Sequence, residues 1–346
     1  MVCLIFVGVF IVASSSWSEG IKEGLGGSYY LHKHLIFLFI GIVVACIAYL
    51  LPTKFIKKFS GLLWLVSILL CLLLFTKLAK SVNGSARWLQ IPGLPFLFMP
   101  ADLLKYSSIL FLANLLTIFR QNGKKEGFFP IIFVIGMSVG VVIIRDFSSA
   151  TVIALSLLSM FFVSGISFME FLSITAVSSV GFYGMLMKFS YRVERLLSFR
   201  DPFDDIADTD WQLANSLYAL GMGSLTGVGY FKSRQKFSYL PESYNDFIFA
   251  IFGEEFGFIG VFLVILLFLI LVFRGLQIAN YNNKFYEKNL AIGITSSIGI
   301  QAFFNMGVAS GVLPVTGITL PYISYGGTAL VLVLGISGLL LKLSRS

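Results

Sequence analysis

Apolar runs without charge recur along this chain at lengths that suit a helix crossing hydrocarbon. A bilayer core about 30 Å thick takes about 20 residues at about 1.5 Å each. Matched against that length, the runs near 2–17, 35–51, 61–76, 103–119, 128–144, 149–167, 171–188, 256–273, 290–310 and 328–343 each predict a membrane-spanning helix. Polar residues gather in the gaps, and most gaps are short. The pattern is that of an all-α polytopic membrane protein with about ten transmembrane helices in a single domain, 1–346. The first run ends in small residues, as a signal peptide does. It has no basic segment in front of it and many spans behind it, so it reads as a short first span.

Composition agrees. Of 346 residues, 57% are hydrophobic and 12% charged, where a soluble domain carries about 25% charged residues. The net charge of +8 would suggest nucleic acid if it formed one patch. The basic residues lie in loops between spans, where topology explains them, so no nucleic-acid partner is expected. Cys3, Cys46 and Cys71 fall in or beside apolar runs and read as small hydrophobes, with no disulfide framework and no metal spacing. His32 and His34 sit at a span boundary and read as snorkelling interface residues rather than ligands. With the N-terminus inside, the inner loops and tail hold Lys54, Lys57, Lys58, Arg120, Lys124, Lys125, Arg274, Lys284, Lys288, Lys342 and Arg345. They outnumber the outer set of Lys22, Lys33, Lys77, Lys80, Arg87, Lys105 and Arg145, which places both termini in the cytoplasm.

One gap is long. Residues 189–246 hold eight of the chain's 17 acidic residues, and long loops cross regardless of charge, so this loop belongs outside. Its first half, FRDPFDDIADTDWQ, reads as polar coil broken by Pro202. Its Gly-rich second half, SLYALGMGSLTGVGYFKSRQK, suggests short amphipathic or re-entrant pieces on the outer face. The loop closes on YLPESYNDFIFAIFGEE (239–255), where Glu242, Asp246, Glu254 and Glu255 surround a six-residue apolar run. Asp246 is the last charge before that run and sits where water meets bilayer. It is either a reacting carboxylate or, with Ser243 and Asn245, a cap on the helix that follows. From a helix start at Asp246, Glu254 lies about 12 Å along the axis, and two carboxylates at that depth need partners.

Three further segments interrupt the apolar pattern. In SARWLQIPGLPFLFMPADLLK (85–105), Arg87 and Trp88 precede a Pro-Gly-Pro turn, giving a folded outer loop. Trp88 suits belt anchoring as well as function, and Asp102 and Lys105, three apart, suit a simple pair. In IIRDFSSAT (143–151), Arg145-Asp146 is either a tight outer turn or an intramembrane pair, the second being functional by default. The uncharged stretch QAFFNMGVASGVLPVTGITLPYISYGGT (301–328) is broken by Gly311, Pro314, Gly317, Pro321, Gly326 and Gly327. Irregular backbone at membrane depth needs protein or a water-filled cavity around it. A re-entrant or broken segment near 311–327, lining a cavity, is therefore expected.

Together these segments resemble the SEDS family of ten-span bacterial proteins, FtsW, RodA and SpoVE, over nearly the whole chain. The likeness is densest in GVGYFKSRQKFSYLPESYNDFIFAIFGEEFGFIG (227–260) and NMGVASGVLPVTGITLPYISYGG (305–327), and SRQK followed by YLPE is more similar to the FtsW and SpoVE branch. The resemblance implies peptidoglycan glycosyl transfer from lipid II at the outer face of the bacterial cytoplasmic membrane. It also implies pairing with a class B penicillin-binding protein and with other divisome or elongasome membrane proteins. The family's aspartate in LPE-x-x-x-D-F-I-F-A falls on Asp246, its Arg-Trp on Arg87 and Trp88, its Pro-x-Glu-x-x-Lys on Pro100, Asp102 and Lys105, and its Pro-Asp-x-Gly-Thr turn around Asp146. The same motifs single out Lys232, Arg234, Gln235, Lys236, Glu242, Thr316 and Ser324 as supporting residues. This chain departs in having Tyr244-Asn245 where His-Thr is usual, Asp102 for Glu, Arg145 for Pro, and Ser149 near the expected Gly.

The mechanism implied is inverting. Asp246 takes the proton of the acceptor 4-hydroxyl, a role that suits a partly desolvated carboxylate. Arg87, Arg145, Lys232, Arg234 and Lys236 are the outer-face cations for the leaving diphosphate. No cofactor is assigned, and a divalent cation, Mg or Mn, could assist. The alternative is a lipid II flippase. It needs charge along a path through both leaflets, and the runs 128–144, 149–167 and 290–310 are nearly uncharged.

Overall fold

The computed structural model describes residues 1–82, 85–90, 97–121, 128–165, 168–188, 193, 199, 201–203, 211–237 and 239–345. Its helices are α1 (Val2–Ser15), α2 (Trp17–Lys22), α3 (Tyr29–Leu50), α4 (Thr53–Leu72), α5 (Pro100–Gln121), α6 (Phe128–Ile143), α7 (Phe147–Val163), α8 (Phe168–Met187), α9 (Trp211–Gly223), α10 (Ile248–Tyr281), α11 (Phe285–Ala309) and α12 (Gly327–Leu343). Each predicted span falls on one of them, with α1 and α2 sharing the first. Seven helical stretches among the described residues are long and apolar enough to cross a membrane, and α6, α7 and α12 are shorter apolar helices. The helices overrun the charge-free runs at their ends. Thus α3 begins at Tyr29 and α10 runs for 34 residues, because polar side chains end an apolar run without ending a helix.

α3 exposes Phe39, Ile42, Ile47 and Leu50, and α10 exposes Phe262, Leu263, Leu269 and Phe273. Apolar surface of that extent does not face water; on helices of this length it faces lipid. Of the long loop, most of 189–210 lies outside the described residues, and the Gly-rich half contains α9. Between α4 and α5 stands a hairpin that the hydrophobic pattern did not predict. In it, β1 (Ala79–Val82) pairs antiparallel with β2 (Ser85–Leu89), Lys80 opposite Trp88.

The chain forms two compact units. One comprises Met1–Ile40, Leu186–Leu271 and Gln301–Leu330; the other Gly41–Met185, Val272–Ile300 and Val331–Ser346. In the second, α5 packs on α4, α6 and α7, burying Ile109, Leu112, Ile153, Leu157 and Phe161. Polar side chains inside it bridge the helices: Trp64 Nε1 donates to Ser138 Oγ at 2.9 Å, as does Ser108 Oγ at 2.9 Å.

In the first unit the decisive feature is a break in α10. Gly257 sits at φ 66°, ψ −168°, a conformation that glycine adopts without steric penalty. The break leaves helical N–H and C=O groups without their usual partners, and the loop after α9 supplies them. Phe258 N–H donates to Ser224 O (2.9 Å) and Ile259 N–H to Leu225 O (3.2 Å), while Glu254 O and Glu255 O accept from Val228 N–H (2.9 Å) and Gly229 N–H (3.1 Å). The approach is so close that a Cβ on Gly227 would lie 2.1 Å from Glu255 O. The loop and the helix are thus a single backbone-bonded piece.

Candidate active site

Within the first unit, the four carboxylates of 239–255 sort into different environments. Glu254 and Glu255 are 0% and 1% exposed. Glu254 accepts from Ser233 Oγ and from Arg234 N–H at 2.8 Å, with Gln235 N–H at 3.4 Å. Glu255 accepts from Ser14 Oγ of α1 and from Lys236 Nζ at 3.1 Å. The Lys236 ammonium also donates to Ser14 Oγ and Phe231 O, both at 2.8 Å, and lies 4.2 Å from the Phe231 ring centre. Every carboxylate and cation here is engaged inside the protein, which is the condition for burying charge at all.

Lys236 therefore corrects one expectation. Its charge is consumed internally, so it is not an outer-face cation for a diphosphate. Lys232 and Arg234 do lie exposed, and Gln235 is buried behind them. The aliphatic part of Lys232 packs near Gly229. His34 is corrected too: it is 1% exposed and packs 6.2 Å from the Tyr325 ring, rather than snorkelling at an interface.

The other two carboxylates stand at the head of α10. Glu242 accepts from Asn245 Nδ2 at 2.7 Å and adopts φ 52°, an uncommon region for a residue with a Cβ. Asp246 is half-buried, two residues before α10 begins. The backbone that carries it is gripped from the irregular segment 310–326 and from the end of α11 before it. Tyr325 N–H donates to Tyr244 O at 3.0 Å, Ser324 Oγ to Asn245 O at 2.7 Å, and Asn305 Nδ2 to Asp246 O at 2.7 Å. That segment is largely covered by protein and non-helical throughout, as its Pro and Gly residues predicted. Thr316 lies on it, half-buried.

Tyr244 packs its ring 5.0 Å from Tyr30 and 5.6 Å from Tyr325, and Tyr30 lies 5.4 Å from Tyr325. Burial, helped by the nearby Glu242 charge, holds the Tyr244 phenol well above its ordinary value. Burial pushes Tyr325 up to about 12.

The second unit holds the remaining predicted residues as two ion pairs. Arg87 Nε, on β2, lies 3.6 Å from Asp146 Oδ1, with the side chains 16% and 2% exposed. Asp146 also caps α7, accepting from Ser149 N–H at 3.1 Å. Arg145-Asp146 is thus a turn whose aspartate is buried and paired, while the Arg145 guanidinium stacks 4.9 Å from the Phe75 ring. Asp102 and Lys105 pair at 3.0 Å in the first turn of α5, both buried. Trp88 is half-buried on β2. Sequence reasoning missed Ser14, Ser233 and Asn305. Asn305 alone left a signal, as an amide near the end of a predicted span.

Fold and site define a polytopic helical membrane protein in which a broken helix and an irregular segment fix one carboxylate-bearing turn. The chain belongs to the FtsW/RodA/SpoVE family, whose model, described as cell cycle protein, matches residues 1–346. It is 36% identical to the probable peptidoglycan glycosyltransferase FtsW of Coxiella burnetii, over 99% of this chain and 93% of that protein. It is also 36% identical to stage V sporulation protein E of Bacillus subtilis, over 99% and 94%. Among solved structures, it resembles a chain from a peptidoglycan synthase complex that coordinates polymerization and crosslinking, with TM-score 0.77, 25% identity and coverage of 100% and 97%. It shares the fold of the rod shape determining protein RodA of Thermus thermophilus, with TM-score 0.70, 23% identity and coverage of 99% and 95%.

Proposed function

We propose that this chain polymerises lipid II into glycan strands at the outer face of the cytoplasmic membrane, with both termini inside. Asp246 takes the proton from the 4-hydroxyl of the acceptor GlcNAc. The freed oxygen attacks the anomeric carbon of the donor MurNAc, a C–O bond forms with inversion, and the bond to undecaprenyl diphosphate breaks. The sorting of the four carboxylates carries the reading. Glu254 and Glu255 are buried and bonded inside the protein, whereas Glu242 and Asp246 are half-exposed, and the peptide carbonyl of Asp246 is held by Asn305 with those of Tyr244 and Asn245 held beside it. A base held in place contributes about 10²–10⁴-fold.

Exposed Lys232 and Arg234 are the cations assigned to the leaving diphosphate. Arg87, Asp146, Asp102 and Lys105 support the outer loop and the heads of α5 and α7 through their two pairs. Among the described residues no three His, Cys, Asp or Glu side chains gather at one point. The proposed steps run through the chain's own side chains and the substrate, and a divalent cation, Mg or Mn, bound with the substrate's diphosphate would assist its departure. Family membership and the names of the relatives support the activity, and the synthase-complex likeness supports a class B penicillin-binding protein as partner. The test is incubation of purified chain and partner with lipid II, products resolved by chain length. Glycan polymer and released undecaprenyl diphosphate are expected; intact lipid II throughout would contradict the reading.

A further inference from the structure

The Asn305 amide does two things with one group. Its two N–H bonds go to Asp246 O and Ile318 O, each at 2.7 Å. Only the nitrogen end of an amide can face two carbonyl oxygens, so the orientation is fixed by chemistry. The side chain is 1% exposed, and its Oδ1 is buried without a hydrogen bond, an arrangement that is unfavourable in itself. Turning the amide over would set three oxygens against one another. The two donor bonds therefore decide the geometry.

Asn305 is one of three grips on successive peptide carbonyls, with Ser324 on Asn245 O and Tyr325 N–H on Tyr244 O. Ser324 Oγ is itself held by Leu320 N–H at 2.7 Å. Both sides of this clamp hold non-glycine residues in the left-handed region: Glu242 at φ 52° and the buried Tyr322 at φ 67°. Such conformations persist only where the surroundings over-determine them, and they gather at functional sites.

We propose that Asn305 is a positioning residue for the reaction: by joining Asp246 O to Ile318 O, it sets where the Asp246 carboxylate stands. This rests on Asp246 being the base. A misplacement of about 1 Å can reduce turnover by about 100-fold while leaving substrate binding intact.

The test is steady-state lipid II polymerisation by Asn305→Asp, Asn305→Ala and Ser324→Ala chains, each with its partner and normalised to folded protein. Asn305→Asp keeps the shape and removes both donors; Ser324→Ala loosens the neighbouring carbonyl by an independent route. Expected is a kcat loss of about 10-fold or more with KM within about two-fold of wild type, in the folded fraction of each variant. Wild-type kcat in the folded fraction, whether or not the melting temperature drops, would overturn the proposal. Asp246→Asn serves as the control. If it polymerises normally, the underlying reading fails; if it is inert while the Asn305 and Ser324 variants turn over normally, only the positioning role fails.

Discussion

Lys236 Nζ lies 3.1 Å from Glu255 Oε1 with neither side chain reaching solvent. Ser14 of α1 touches both groups, so the pair ties the loop after α9 and the first unit's N-terminal helix to the broken end of α10. Removing one partner leaves a buried charge, which costs about 3–5 kcal/mol, whereas replacing both by apolar groups of similar volume is often neutral. Lys236→Met and Glu255→Met should each lower the thermal unfolding temperature in detergent, and the Lys236→Met/Glu255→Met chain should recover most of the loss. Additive losses in the double variant would refute the pairing.

Gly257 and Gly227 meet backbone to backbone. A Cβ on Gly257 would lie 2.3 Å from Gly227 N, and both residues have positive φ. Gly257→Ala and Gly227→Ala should each destabilise by more than the about 1–3 kcal/mol of the backbone conformation alone. The measurement is yield of monodisperse protein and its melting temperature, with Gly136→Ala, where the added Cβ meets open space, as the tolerant reference.

Asp146 has two jobs that substitution can separate. As N-cap it accepts from Ser149 N–H, and as an anion it faces Arg87. Asp146→Asn keeps a capping oxygen and loses the charge; Asp146→Ala loses both, with the cap worth about 1 kcal/mol. Asp146→Ala should therefore melt lower than Asp146→Asn. Equal melting temperatures would show that the cap is without consequence.

Tyr244 gives a pH signature. Its phenol is raised by burial and by the Glu242 charge, so the folded state holds the proton more tightly than the unfolded chain, where the phenol titrates near 10. The stability it contributes is fully present below about pH 10 and is lost progressively as pH rises above that value. Tyr244→Phe lacks the titrating group and should lose less melting temperature than wild type between about pH 10 and 12. A parallel decline in both proteins would contradict this.

The apolar helices and the carboxylate turn were legible because the length of an apolar run and the position of its last charge are local properties of sequence. Asp246 stood out for that reason, and the family motif chose it among four acids. The partners were not legible. Ser14 reaches Glu255 across 241 residues and Asn305 reaches Asp246 across 59, and no spacing rule pairs a serine in an apolar run with a lysine in a loop. Lys236 illustrates the same gap: in sequence it is one more basic residue of an outer loop, and only folding removes it from water. The Asp102–Lys105 pair was legible, being three apart on one helix.

The claim on which the rest depends is that Asp246 acts as the base. The most direct measurement is lipid II polymerisation by Asp246→Asn with its partner, at saturating substrate and on protein shown to melt like wild type. A fall in kcat of about 10²-fold or more, with lipid II still bound, is predicted. Glycan strands formed at the wild-type rate would contradict the account.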